Sequence, residues 1–298
     1  MKTKLILSFL IVASNTIVGA DKKPLTKEES AFVLDSAIKK QVTNLSIGDA
    51  RISDLSELKG LDNLQYLYLR HNHIGDVSPL ASLQRLQNVH LGLNQISDLR
   101  PLVRLTQLQK LELGMNKISD ISPLVNLPKL KDLRLYNNSI KDLVPLSALT
   151  QLEILELNAN KIDDLRPLAN LRKLKFLNVS SNQFNDLSPI STLTQLEGLT
   201  VAFSPMVKDI SHLSKLTQLK HLNLGYTRVS NISAVEKLSN LESFNFTSGW
   251  IGDEDLKHLF NLKKLKNLDL THVKLSMAAI SDLQKALPNC KITHYAKN

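Results

Sequence analysis

Six asparagines stand 22 residues apart, at Asn72, Asn94, Asn116, Asn138, Asn160 and Asn182. Around each runs one phrase, as in Leu108-x-x-Leu111-x-Leu113-x-x-Asn116-x-Ile118-x-Asp120-Ile121-Ser122-Pro123-Leu124. Leu111 and Leu113 lie two apart, which puts them on one side of a short strand, while Lys110 and Glu112 point outward. Asn116 follows where the chain turns to fold back across the next repeat. A turn buried between neighbouring coils leaves backbone donors and acceptors without partners, and an asparagine amide supplies both kinds of group. The six amides therefore read as a structural ladder, and losing one leaves buried polar groups unpaired at roughly 1–3 kcal/mol.

Two further ladders share the interval. Asp54, Asp76, Asp98, Asp120, Asp142, Asp164 and Asp186 form one. Pro79, Pro101, Pro123, Pro145, Pro167 and Pro189 form the other, with Ser78, Ser122 and Ser188 directly before three of them. Serine then proline reads as an N-cap followed by the first helical residue, so a short 3₁₀ turn is expected on the back of each coil. The aspartates do not suggest calcium, because a calcium loop clusters its acids within about twelve residues around a glycine. One aspartate per repeat, beside a turn, reads as a cap. Self-similarity at this interval with this leucine spacing implies a leucine-rich repeat solenoid. The expected fold class is α/β: a leucine-rich repeat horseshoe with a parallel concave β-sheet and short 3₁₀ or α turns on the convex side.

In chain order, residues 1–20 read as a signal peptide. Lys2 and Lys4 give the positive start, Leu5 to Ala13 an apolar stretch too short to span a bilayer, and Val18-Gly19-Ala20 a small-residue cleavage site. Cleavage would start the chain at Asp21 and place it outside the cytoplasm, secreted or periplasmic. With one cysteine, Cys290, there is no intrachain disulfide, so the stacked core alone must stabilise an exported chain. Cys290 itself reads as a small apolar filler. Residues 21–41 are expected to form an N-terminal capping helix, opened by a capping box at Thr26-Lys27-Glu28-Glu29. Its apolar face is Phe32, Val33, Leu34, Ala37 and Ile38. Residues 42–293 hold eleven repeats including a C-terminal cap, and 294–298 a tail. The eighth repeat gains a residue near Ser204-Pro205 and loses its asparagine; Thr227, Gly249 and Val273 stand at that position in the last three.

The phrase Leu-x-x-Leu-x-Leu-x-x-Asn-x-Ile-x-Asp-Leu-x-Pro-Leu-x-x-Leu-x-x resembles the repeat of the bacterial internalin family. The match is almost without exception over residues 64–195 and looser over 42–293. The last two repeats are closer to the ribonuclease-inhibitor-like type. The resemblance implies a binding scaffold whose concave sheet takes a protein partner, often on a host cell surface. The chain departs from well-known members in having no immunoglobulin-like domain after the repeats, no LPxTG wall-sorting tail and only a short capping helix.

The repeat register assigns each outward side chain to a column. Tyr66, Tyr68, Tyr136, Phe176, Phe203, Tyr226 and Trp250 fall on the concave face, although aromatics make up only 5% of the chain. Tyr and Trp join contact area to a polar tip and lead at interface hot spots, while the bland alternative is packing along the sheet. Lys110, Glu112, Asp132, Arg134 and Glu156 form an alternating charge patch, with Glu112, Arg134 and Glu156 as exposed opposite charges in one column. The partner-binding candidates are Tyr66, Tyr68, His71, His90 and Glu112, then Arg134, Tyr136, Phe203, Tyr226 and Trp250. His71, His73 and His90 are not expected to hold a metal, since no cysteine or obvious carboxylate joins them, but they make binding at this corner pH-sensitive near about pH 6.

Formal net charge is +9, yet the concave columns are nearly balanced, so no nucleic acid is expected. No glycine-rich phosphate loop, Gly-x-Ser-x-Gly or His-Glu-x-x-His is present, so neither catalysis nor a cofactor is expected. The expected function is that of an exported monomer, without a membrane span, that binds a protein partner through its concave sheet. The second reading is an envelope glycan or polysaccharide bound by the same aromatics; their clustering, rather than even spacing, favours protein.

Overall fold

A computed structural model describes residues 11–13, 16–18, 33, 35–37 and 41–295. The positive start and cleavage junction of the leader, the capping box at Thr26–Glu29, Phe32, Leu34 and Ile38, and the final three residues lie outside the described residues. The chain gathers into two compact units, one running to Leu152 and the other from Glu153.

In the first unit, β1 (Ile11–Ala13) and β2 (Thr16–Val18) pair antiparallel, and β2 runs parallel to β3 (Asn44–Ser46). β4 (Tyr66–Tyr68), β5 (Asn88–His90), β6 (Lys110–Glu112) and β7 (Asp132–Arg134) follow in parallel, each in register with the last. Helical residues Val33 and Ala37 are buried, and the Val42 N–H donates to the Ala37 carbonyl. The second unit holds β8 (Ile154–Glu156), β9 (Phe176–Asn178), β10 (Gly198–Thr200) and β11 (His221–Asn223), then β12 (Ser243–Asn245), β13 (Asn267–Asp269) and β14 (Lys291–Thr293). These also pair in parallel, one repeat to the next. Both units are leucine-rich repeat solenoids.

Period two explains the strands. In β6 the middle residue Leu111 is buried, and its coil adds Leu108, Leu113, Ile118, Ile121, Leu124 and Leu127, none more than 1% exposed. Full burial is worth roughly 1.5–3 kcal/mol for each such side chain, and only stacking on neighbours achieves it. The return limbs are 3₁₀ turns such as Ser78–Ser82, Ser122–Asn126 and Ser188–Thr192, with the proline in the first turn, where its fixed φ fits. Towards the end the limb lengthens, to the 3₁₀ stretch Asp253–Leu259 and then to α1 (Met277–Ala286).

The serine N-caps expected before the prolines are corrected. Each serine is the first residue of its turn, and the aspartate two residues earlier accepts its N–H: Asp76 from Ser78 at 2.8 Å, Asp120 from Ser122 at 2.8 Å, Asp186 from Ser188 at 2.7 Å. Asp164 does the same for Arg166 at 2.8 Å, so no serine is needed. A short acidic side chain reaches two residues ahead without strain. The series continues with Asp209 and Asn231. The bond from the Ser122 N–H holds the Asp120 carboxyl below its ordinary range, and Ser211 acts likewise on Asp209.

The reversal after each strand has two parts. The residue before each ladder asparagine takes a left-handed backbone: His71, Leu93, Met115 and Asn137 in the first unit, Ala159 and Ser181 in the second, with φ between 52° and 58°. Such a residue, if not glycine, costs about 1–2 kcal/mol. It is held by its own N–H, as Met115 donates to the Tyr136 carbonyl at 2.8 Å one coil on. The asparagine then closes the turn. Asn116 accepts from the Ile96 N–H at 2.9 Å and donates to the carbonyls of Leu91 and Leu113, both at 3.0 Å. Asn72, Asn94, Asn138 and Asn182 make the same bridge to the preceding coil, and Asn160 donates to Leu157. Thr227 keeps only one of these bonds, to the Leu224 carbonyl at 2.7 Å.

Asn116→Ala is expected to lower unfolding free energy by roughly 1–3 kcal/mol, read as a lower urea midpoint, with Asn116→Thr falling between. An unchanged midpoint in the alanine variant would show that the ladder contributes nothing to stability.

Candidate functional site

In the first unit, β4 presents Tyr66 and Tyr68 outward, 43% and 36% exposed. The Tyr68 ring covers Gly48, where a Cβ would meet it at 3.0 Å, and lies tilted against His90 with centroids 5.5 Å apart. Tyr136 is half-buried because its ring lies over Gly114. Each of these two rings leans back over a glycine of the preceding coil, so the missing Cβ sets where the ring rests.

Glu112 departs from the expected exposed pair with Arg134. It stands in register with Arg134 but is only 6% exposed. Its carboxylate folds over Gly92 and accepts the Gly114 N–H at 3.1 Å. A backbone donor beside an empty glycine position gives the charge a better partner than solvent-screened arginine does. Arg134 and Lys110 both reach Asp132, each at 3.0 Å.

The three histidines go to different partners. His71 is exposed, in the left-handed turn, and its Nδ1 meets the Asp49 carboxylate. His73 lies beyond Asn72, exposed, with its backbone N–H on the Ile52 carbonyl. His90 packs on Tyr68; burial, then the nearby Lys110, push its pKa down, with Arg134 acting alike and Glu112 and Asp132 opposing. Among the described residues, no three His, Cys, Asp or Glu side chains assemble a metal site.

In the second unit three of the four exposed aromatics assigned to this face, Phe203, Tyr226 and Trp250, sit at the turns that follow the strands. Phe203 and Tyr226 occupy the left-handed position after β10 and β11, and their rings stack with centroids 4.6 Å apart and planes at 10°. Trp250 comes two residues after the left-handed Ser248 that follows β12, and is 65% exposed. All three sit at the turns, and for Phe203 and Tyr226 the left-handed backbone turns the side chain out of the coil. While Phe244 on β12 is buried, Phe176 stands exposed on β9 with its ring over Gly198. Beside it a basin of 540 Å³ opens over Gly198, bordered by Asn178, Thr200, His221 and Asn223.

Two patterns escaped the sequence reading. The outward residue ending a strand caps the turn ahead: Asn178 accepts from the Ser180 N–H at 3.1 Å, Asn223 from Gly225 at 3.0 Å, Asn245 from Thr247 at 3.1 Å, Asp269 from Thr271 at 2.9 Å. The signal was an Asn or Asp two residues before a small residue. One position before each strand, Glu153, Lys175, Glu197, Lys220, Glu242 and Lys266 alternate in sign, pairing at 2.8, 2.7 and 2.6 Å. Lys220 draws the Glu197 carboxyl down and is itself raised, but exposed pairs of this kind add little stability.

A model for leucine-rich repeats, in two-copy units, matches residues 40–82, 84–126 and 128–170. Among solved structures, an internalin (InlF) from Listeria monocytogenes is 27% identical, over 99% of this chain and 89% of that one, with a TM-score of 0.79. Internalin C2 from Listeria monocytogenes is 33% identical, covering 64% of this chain and 83% of its own, with a TM-score of 0.60. The chain belongs to the internalin family of leucine-rich repeat proteins. A plant peptide hormone receptor, RGFR1, solved in complex with RGF2, shares the fold at 20% identity and a TM-score of 0.68, over 94% of this chain and 51% of that one. No curated protein matches the chain.

In this family member, no helix among the described residues is long and apolar enough to cross a membrane. Cys290 is buried, and burial pushes its thiol pKa up, which suits packing rather than reactivity. His90 gives the clearest pH signature of the first unit. Its folded pKa is lowered, so the unfolded chain takes up a proton that the folded chain resists, and stability is lost as pH falls below 6.5. An NMR titration is expected to place the His90 midpoint below 6.5, and His90→Gln to flatten the acid side of the melting profile; a midpoint above 6.5 would contradict the burial seen here.

Proposed function

We propose that this internalin-family chain is an exported binding protein that grips a protein partner through its outward strand and turn faces. The observation that carries the reading is the set of large aromatics left in solvent at these faces: Tyr66 and Tyr68 in the first unit, and the Phe203–Tyr226 stack with Trp250 in the second. Scattered single apolar residues need no explanation, but grouped Tyr, Phe and Trp offer contact area at small entropic cost and tend to dominate interface energy. Around them the first unit supplies orientation. Lys110, Asp132 and Arg134 form a tied cluster on β6 and β7, and His71 meets Asp49 at the turns after β4 and β3. Glu112 has a different role, holding the Gly114 turn beneath the face. The receptor solved with RGF2 shares only the fold, so the partner class rests on these side chains.

Export follows from the leader read at residues 1–20 and agrees with a stability that needs no disulfide. The chain acts as a monomer and a scaffold rather than an enzyme. Expressed in a bacterial host with an intact export pathway, the protein recovered outside the cytoplasm is expected to have an intact mass beginning at Asp21. Recovery of the whole chain inside the cell, with Met1 retained, would remove export from this reading.

The binding test is capture from a surface-protein extract by the native chain beside Tyr66→Ala/Tyr68→Ala/Tyr226→Ala/Trp250→Ala. Hot-spot aromatics cost about 2 kcal/mol or more each on truncation, so the fourfold variant is expected to lose capture while melting at the native temperature. Capture that survives all four changes would move the contact to the basic exterior.

A further inference from the structure

The basin on the second unit differs in chemistry from the aromatic rims and from the charged face of the first unit. Its volume, 540 Å³, lies in the range of small-ligand sites. Its lining holds no lysine or arginine and one carboxylate, Glu156. The missing side chain at Gly198 lets the Phe176 ring lie over this part of the floor, where it stays 42% exposed. Along the wall, the Oδ1 atoms of Asn178 and Asn223 are each committed to a backbone N–H, which fixes both amides. Their Nδ2 groups donate to none of the described residues and remain directed donors, with the Thr200 hydroxyl on the strand between them.

The spacing of these groups discriminates between ligands. Neighbouring parallel strands carry Asn178, Thr200 and Asn223 at steps of about 4.8 Å. Carbonyls on one side of an extended peptide recur every second residue, about 6.6–6.8 Å apart, so a peptide lying across the strands falls out of step after one bond. A pyranose ring has no such periodicity. Its hydroxyls radiate as combined donors and acceptors, which fixed amides and a threonine hydroxyl can meet, and its C–H face stacks on an aromatic ring. With Glu156 in the lining and no lysine or arginine to pair an anion, the basin disfavours sialic acids and phosphorylated sugars.

We infer that this basin is a saccharide subsite, taking one or two neutral pyranose rings stacked on Phe176 and held by the amides of Asn178 and Asn223. None of the four residues changed in the capture experiment lines the basin, so the two readings fail separately.

The test is saturation-transfer NMR on the full chain, with the methyl glycosides of glucose, galactose, mannose and N-acetylglucosamine, their β-linked disaccharides, sialyllactose and an acetylated tetra-alanine amide. Two variants accompany the native chain. Phe176→Ala removes an exposed ring. Asn223→Asp keeps an oxygen that can accept the Gly225 N–H, as Asp269 natively does for Thr271, and replaces the outward donor by a charged acceptor. At least one neutral sugar is expected to bind, with affinity falling about tenfold or more in each variant, while sialyllactose gives no signal that either variant alters. Silence from every neutral sugar, sugar binding indifferent to both variants, or binding of the peptide alone would each overturn the assignment.

Discussion

A chain that reverses direction every few residues while stacked between two copies of itself must satisfy the backbone of each reversal without water. The asparagine ladder meets that constraint. Asn116 ties the Ile96 N–H and the Leu91 carbonyl of the preceding coil to the Leu113 carbonyl of its own, so one side chain completes two coils at once. The left-handed residue before it makes the matching bond to the coil that follows. Strand register, the burial of the leucines and the outward columns all depend on this pair of links, because a turn displaced by one residue would invert the pattern of every strand it joins.

With the coil fixed, outward positions are free to vary, and the two units have used that freedom differently. The first carries tyrosines, a half-buried histidine and the Lys110–Asp132–Arg134 cluster. The second carries amides, hydroxyls and the exposed Phe176 on its strands, with Phe203, Tyr226 and Trp250 at the turns. Glycines mediate both arrangements. Gly48, Gly92 and Gly114 receive Tyr68, Glu112 and Tyr136 from one coil on, and Gly198 receives Phe176 from one coil back. A residue that looks like a free contact can thus be half committed to its own scaffold, as Glu112 is.

The structural basis for a binding scaffold is therefore strong in its backbone and selective in its side chains. Among the described residues, Tyr66, Tyr226 and Trp250 lie over no glycine of a neighbouring coil and keep their exposure, while Tyr68 leans over Gly48 and still remains 36% exposed. The neutral basin has a different origin: Gly198 removes one side chain from the strand face, and the capping duty of Asn178 and Asn223 leaves their amide donors aimed outward.

The period of the asparagines, leucines and prolines determined from sequence alone the coil, its short strands and its 3₁₀ return limbs, since each depends on residues within a single repeat. Family membership was legible for the same reason. The aspartate caps were half legible: their position beside the turn was clear, but the serine was credited with a bond that the aspartate accepts. What only the tertiary structure decided is how side chains settle between coils. Glu112 was read as exposed because alternation says nothing about a glycine 20 residues earlier. The left-handed seat of Phe203 and Tyr226 was not legible, because such backbone is associated with glycine and asparagine and nothing local marks an aromatic there. Their stacking, the alternating Glu–Lys row and the basin over Gly198 arise only when residues from successive coils are brought to strand spacing, and that contact is not written in any one repeat.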